Sequence, residues 1–502
     1  MKQMSKKLFA CLLTLVLLAA TAVVAMPVQA DELVEGWLTY EVEDGAITIV
    51  GCDDEAEGAV EIPEEIDDIP VTAIGKNAFY GKKQLTEVIL PSTVTKISVG
   101  AFGNSMYLTT IDVNKNNPVY CDVDGVLFSK DKTQLVFFPP RNTIGGYAIP
   151  TTVTTIGSRA FFDCLLESVE IPDTVTSIES SAFHFASELI EVTLPDSITA
   201  IDYGVFSSCV KLTSVVIPDS VTSIGNNAFS NCKALEEIAI PNSVASIGTS
   251  AFSGCVNLKK INIPDGVTAI AASTFYMCKS LPTLHLPDGI TSIGNRAFFF
   301  CDELETVNLP DGITSIGREA FAGCYALEDV TLPENLAVIG EQAFHYCSSL
   351  DTLVVPDNVT TIGYGAFAEC TQLTKVEISA RVSAVPAATF RNCSKLELVK
   401  MPKSVVSVDC DAFSGCSALT QVKYAGSISD RNRIVVEDGN EKLLSVDWVY
   451  GVQENAPVVE ETPSDVVDEG MAPWLVTTLY IVALLAAIGF LILLFRTKPS
   501  EY

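Results

Sequence analysis

One period governs what this chain can become. Its phenylalanines recur every 23 residues at Phe183, Phe206, Phe229, Phe252, Phe275, Phe298, Phe321, Phe344, Phe367, Phe390 and Phe413. Phe161 sits one residue short of that register, and Phe79 and Phe102 are again 23 apart. Leucines from Leu189 to Leu419 keep the same step, as do prolines from Pro195 to Pro356. One unit, beginning at Leu212, reads LTSVVIPDSVTSIGNNAFSNCKA. A fixed period of this length marks a solenoid, in which no unit closes a core alone and each buries its apolar face against its neighbours. Length by itself suggests roughly three globular domains; the period replaces them with one elongated domain.

Within the unit, Val215 and Ile217 alternate with Ser214 and Val216 at the period of a strand. Pro218 ends the pairing, and Pro-Asp supplies turn chemistry. VTSI is a second short extended piece with Val221 and Ile224 inward. The next position holds Gly225 but elsewhere Ser98, Asp202, Asp409 and Pro386. Acceptance of proline argues against a positive φ there, so the position reads as the N-cap of a short helical turn carrying the Ala-Phe pair. The expected fold class is an α/β repeat solenoid, β-dominated, with terminal caps. Between Phe102 and Phe161 the period lapses, and VLFSKDKTQLVFFPP (126–140) alternates like two strands around a Ser-Lys-Asp-Lys turn. That stretch reads as a hairpin inserted in the array, either a local brace or a binding loop.

The string IP-D-x-VT-x-IG-x-x-AF-x-x-C resembles the BspA-like leucine-rich repeats of bacterial surface proteins, over roughly residues 37 to 450 and fourteen Phe-bearing turns. GWLTYEVEDGAITIVGC, before the first full unit, resembles that family's entry cap, and YAGSISDRNRIVVEDGNEKLLSVDWVY (424–450) its exit cap. Caps shield the terminal core and strand edges of a solenoid from water. The resemblance implies a leucine-rich-repeat fold and a role in surface interaction, including adhesion to matrix proteins.

Two ladders run along the array. Eleven cysteines (164, 209, 232, 255, 278, 301, 324, 347, 370, 393 and 416) stand three residues after the phenylalanine. Stacking brings neighbours within disulfide range, about 5 Å between Cα atoms, but parallel side chains and an odd count favour small buried thiols. Zinc fits worse, since the ligands form a line and not a tetrahedron. The second ladder is Asp173, Asp196, Asp219, Asn242, Asp265, Asp288, Asp311, Glu334 and Asp357. Turn capping is its favoured reading, because Asn242 caps without charge; calcium between stacked carboxylates is the alternative. Neither ladder implies a resident metal or cofactor. Catalysis has little to stand on: His184, His285 and His345 lie on distant rungs, and no P-loop, GxSxG, HExxH or GxGxxG pattern occurs.

The ends are apolar in a different way. Residues 1–30 join Lys2, Lys6 and Lys7 to an apolar stretch from Leu8 to Ala25 and a small-x-small site ending at Ala30, the pattern of a secretory signal peptide. Trp474 to Phe495 has no charge and is long enough to span a bilayer. Arg496 and Lys498 follow it, while Glu454, Glu460, Glu461, Asp465, Asp468 and Glu469 precede it, so the positive-inside rule leaves the tail in the cytoplasm. The expected organisation is signal peptide 1–30, entry cap 31–70, solenoid 71–423 with the insert at about 114–147, exit cap 424–451, acidic Pro/Val linker 452–473, transmembrane helix 474–495 and cytoplasmic tail 496–502. The chain is then single-pass in the cell membrane, with its N-terminal domain extracellular. A net charge of −31 beside 48% hydrophobic residues excludes intrinsic disorder and argues against nucleic acid as a partner.

What varies between copies points to function. The outward strand positions, two and four after each leucine, line the inner face, the usual binding surface of a solenoid. Glu191, Glu237, Lys260, His285, Asn308, Asp329, Lys375 and Glu377 are the candidate ligand-binding residues there. The face is polar and nearly free of aromatics, which fits an extracellular protein or glycan bound through polar or multivalent contacts. A structural spacer without a specific ligand is the alternative, and an enzyme is not expected.

Overall fold

The computed structural model describes residues 33–143 and 145–451. The leader 1–30, the linker 452–473, the apolar segment 474–495 and the tail 496–502 lie outside the described residues. Among the described residues no helix is long and apolar enough to cross a membrane.

Each unit forms one rung with three sides. The LxxVxI piece gives a first parallel ladder, in which Leu166–Glu170, Glu191–Thr193 and Ser214–Val216 pair with Glu191 opposite Ser214. The VTSI piece gives a second, in which Ala200–Ile201, Ser223–Ile224 and Ser246–Ile247 pair in register. Between them the turn closes through its backbone, Val221 N–H donating to Pro218 O at 3.1 Å. Strands of two or three residues suffice because a repeat offset of 23 puts identical side chains in contact, and the core grows by addition.

The third side departs from the sequence reading. The Ala-Phe segment is not helical; among the described residues the helices are Ile428–Arg431 and Glu441–Leu444, both in the exit cap. Two residues per unit, before and after the phenylalanine, take left-handed conformations: Asn227 (φ 56°) and Asn231 (φ 60°) in one copy, Arg296 (φ 56°) and Phe300 (φ 54°) in another. Left-handed backbone costs a non-glycine residue about 1–2 kcal/mol and breaks a helix. It also aims alternate N–H groups along the array. Asn227, Phe229 and Asn231 donate to Thr249, Ala251 and Ser253 of the next rung at 2.9, 2.8 and 2.7 Å, while Ala228, Ser230 and Cys232 close local turns. The gain of inter-rung hydrogen bonds offsets the strain.

The Gly225 position is likewise no N-cap. Its φ is not positive, and a Cβ there would sit 2.7 Å from the Asp202 carbonyl carbon; at Gly340 and Gly363 the nearest backbone atoms would be 2.5 and 2.3 Å away. At these copies glycine is needed because the preceding rung's backbone leaves no room for a Cβ.

The core is one column. From Phe183 to Phe413 each ring stacks on the next at centroid distances of 5.0–5.9 Å, nearly parallel and almost wholly buried. Beside it the cysteines are free and, in the ladder, fully buried. Each thiol from Cys209 to Cys416 donates to the phenylalanine carbonyl one rung back, as Cys278 Sγ does to Phe252 O at 3.2 Å. Burial pushes Cys164, Cys255, Cys370 and Cys416 up to about 12.

The entry cap and the insert contain antiparallel pairs, whereas the exit cap continues the parallel ladders of the array. Leu33–Glu35, Leu38–Glu43 and Ala46–Cys52 form an entry meander. The insert has three strands where the sequence showed two: Tyr120–Val123, Val126–Ser129 and Gln134–Phe137, the last pairing parallel with Thr155–Ile156. At the exit, buried Asn440 accepts from Phe413 N–H and donates to the carbonyls of Asp409 and Glu437, each at 2.9 Å. On the phenylalanine side, one side chain thereby stands in for the next turn.

Candidate ligand-binding face

The first ladder carries the candidate residues because every second side chain of a strand points away from the core. Glu191, Glu237, Lys260, His285, Asn308 and Asp329 are exposed, and Lys375 and Glu377 half-buried. Parallel register with a one-repeat offset places like positions side by side. Glu237 lies opposite Lys260, and the two approach to 3.8 Å across exposed side chains, a pair worth little in water. His285 lies opposite Asn308, and Thr306 bridges to Asp329. Lys375 and Glu377 share one strand, and Glu377 is held by Lys400 at 2.8 Å. Glu191 stands two rungs from Glu237, so the eight residues form a discontinuous stripe and not one site.

Two depressions break the stripe. One of about 410 Å³ lies over Ser168, Glu170, Glu191 and Thr193. The other, about 400 Å³, is lined by Ser214, Glu237, Ala239, Lys260 and Asn262. Asn308 is committed elsewhere: its Oδ1 accepts from Leu286 N at 2.8 Å and its Nδ2 donates to Leu286 O at 3.0 Å. Asn262 clamps Ile240 in the same way at 2.8 and 2.7 Å. Both splint a strand end where a direct ladder bond is absent. Sequence alone cannot separate a splinting asparagine from a free one, since both occupy outward positions. Val216 and Val354, 55% and 57% exposed, add the apolar surface that the polar reading omitted.

The acidic ladder is exposed throughout, and its carboxylates do not cap their own turns. Among the described residues the one hydrogen bond to them is Asp357 Oδ1 accepting from Ala380 N–H of the next rung at 3.3 Å. Backbone already closes each turn, and the residue after the acid ties rungs together, as Ser243 Oγ does to Val221 O at 2.7 Å. No group of three or more His, Cys, Asp or Glu among the described residues is arranged to hold a metal. His184 and His345 are half-buried, and burial lowers both imidazoles; they belong to the turn side, whereas His285 belongs to the strand face.

A family model described as a BspA type leucine rich repeat region, in six copies, matches residues 60–148, 137–255, 199–328 and 314–435. Among solved structures, the chain is similar to a leucine rich cell surface protein from Faecalibacterium prausnitzii, at 28% identity over 81% of this chain and 98% of that one, with a TM-score of 0.45. It is similar to a leucine-rich repeat protein from Bacteroides ovatus at 22% identity, over 83% and 90% of the two chains, with a TM-score of 0.43. It is also similar to the pneumococcal vaccine antigen PcpA at 18% identity, over 84% and 98%, with a TM-score of 0.47. No curated protein matches the chain.

Proposed function

The chain belongs to the BspA-type leucine-rich repeat family, and from that premise we propose that it is a surface binding scaffold whose first-ladder face engages an extracellular protein or glycan. The signal-like residues 1–30 export it, the apolar segment 474–495 anchors it in the cell membrane, and the linker 452–473 holds the array off the bilayer. One observation carries this reading: a frame of recurring Leu, Phe, Cys and Pro positions presents side chains that change sign, size and polarity from rung to rung on one exposed face. A frame that only needed to be long has no use for such variation. Glu237 and Lys260, which line one depression, and Glu191, which lines the other, are the residues this reading assigns to the ligand.

Many weak contacts along a regular lattice suit a repetitive ligand, because avidity multiplies them. A spacer without a ligand is the second reading, favoured by the commitment of Asn262 and Asn308 to backbone. The test is binding of residues 31–451 to immobilised matrix proteins and glycans, followed by Lys260→Glu with Lys375→Glu. Saturable binding that the reversal abolishes supports the scaffold; uniform absence of binding supports the spacer.

A further inference from the structure

The array is interrupted at one place, and the interruption has its own chemistry. The ladder that contains Ile69–Ile74 and Lys96–Ile97 ends there, and the next strand on that side, Gln134–Phe137, pairs with Thr155–Ile156 instead. The apolar core divides at the same point into two clusters, one ending at Phe137 and the other including Phe138. Where the ladder stops, Phe102 packs against Phe137 at 5.4 Å and Ile97 N–H donates to the Tyr120 hydroxyl at 3.2 Å.

A hydrogen bond is lost as a result. In the array every ladder phenylalanine donates its N–H to the following rung, from Phe79 to Ala101 O through Phe390 to Ala412 O, and Phe413 donates to the Asn440 side chain. Phe102, 2% exposed, is the exception: among the described residues its N–H has no acceptor. A buried N–H without a partner is rare and costly. Phe102 lines a cavity of about 160 Å³, together with Tyr120, Gln134, Phe137, Arg159 and Glu179.

The other polar groups of that cavity are donors in excess. Arg159 has a left-handed backbone (φ 59°), and its guanidinium makes no ion pair or hydrogen bond among the described residues; it lies 5.4 Å from the Phe162 ring centroid. Its Nη1 reaches across the break to Gly100, 3.1 Å from where a Cβ on that glycine would stand. The Gln134 side chain is unpaired, and the Tyr120 hydroxyl, which accepts from Ile97 N–H at 3.2 Å, keeps its proton free. The one carboxylate, Glu179, accepts from Ser158 N–H at 2.8 Å through Oε2. In a chain with twice as many acids as bases, a cation left unpaired beside an orphaned N–H marks a place shaped for an acceptor that the chain itself does not supply.

We propose that this break is a binding site for a small monocarboxylate with an apolar body no larger than one six-membered ring. Size follows from the volume, since a cavity of about 150 Å³ holds a benzene ring. Charge follows from the donors, and Glu179 excludes a dianion such as phosphate by repulsion. The apolar body meets Ile97, Val136, Phe137 and Phe162. The site is independent of the strand face, so either assignment stands if the other falls.

The test is calorimetric titration of the full chain, in nonionic detergent, with benzoate, its neutral counterpart benzamide, and inorganic phosphate. Benzoate is expected to bind one site at least roughly tenfold more tightly than benzamide, the discrimination of a charge-assisted hydrogen bond. Arg159→Gln, checked for an unchanged circular dichroism spectrum, removes that preference, and Arg159→Lys restores part of it. Absence of benzoate binding, equal affinity for benzamide, tighter binding of phosphate, or a preference that survives in Arg159→Gln overturns the proposal.

Discussion

The cysteine ladder permits a prediction in which the sign of a difference, and not its size, decides. A buried sulfur in a tight corner acts either as an apolar filler or as a hydrogen-bond donor. Cys278 is 0% exposed, and its thiol reaches Phe252 O, which also accepts from Cys255 N–H at 3.1 Å. Cys278→Ala removes one second-row atom and one weak donor. The void costs about 1 kcal/mol. The lost bond costs about 0.5 kcal/mol, the low end for a hydrogen bond, because S–H donates weakly and the carbonyl keeps its other partner. Cys278→Ser leaves a smaller void and keeps a donor aimed at the same carbonyl, for a total of about 0.5–1 kcal/mol.

The chain contains that substitution already: Ser105 occupies the equivalent position, is fully buried, and donates to Phe79 O at 2.5 Å. The serine variant is therefore expected to be more stable than the alanine variant, by roughly 0.5–1 kcal/mol. If the corner were a mere apolar filler, a buried hydroxyl without a partner would cost about 1–3 kcal/mol and the order would reverse. Urea unfolding of residues 31–451, followed by circular dichroism, gives the order of the midpoints directly. A serine variant less stable than the alanine variant refutes the donor role.

Other consequences are equally measurable. The native ectodomain should react rapidly with a thiol reagent at exposed Cys410 alone, while denatured protein shows fourteen thiols from Cys52 to Cys416; fewer would mean bridges in the ladder. Asn440→Ala removes the side chain that closes the last rung, and should cost about 2–3 kcal/mol and abolish exchange protection at the Phe413 amide; retained protection would show that the cap works otherwise. Gly340→Ala forces a Cβ to 2.5 Å from the Gly317 backbone and should destabilise by about 1–3 kcal/mol, whereas Gly289→Ala, with its nearest neighbour at 3.4 Å, should be nearly neutral. Equal midpoints for the two would remove the close-approach argument.

The strands and the core were legible because both repeat. Alternation at Val215 and Ile217 and the fixed phenylalanine step carry that information without any reference to three dimensions. The left-handed pairs were not legible, since residues as different as Asn227, Arg296, Phe300 and Tyr346 occupy them. What selects that backbone is an N–H bond to the next copy, which no side chain records. The glycine ladder misled for a related reason: Gly225, Asp202 and Pro386 share a position, but the crowding depends on how closely each particular pair of rungs stacks.

Of the binding stripe, the outward positions were readable, yet the splinting role of Asn308 required the strand ends to be seen. The lapse between Phe102 and Phe161 was plain in the sequence. That it orphans one amide and leaves Arg159 unpaired emerges only from the hydrogen bonds around it.

The central claim is that the exposed first-ladder face binds. Surface plasmon resonance of the 31–451 ectodomain over immobilised matrix proteins and glycans, with wild type beside Lys260→Glu/Lys375→Glu, measures it most directly. The account predicts saturable binding to at least one surface that the double variant loses while its unfolding midpoint stays unchanged. Binding that persists undiminished in the double variant, or binding to none of the surfaces, contradicts it.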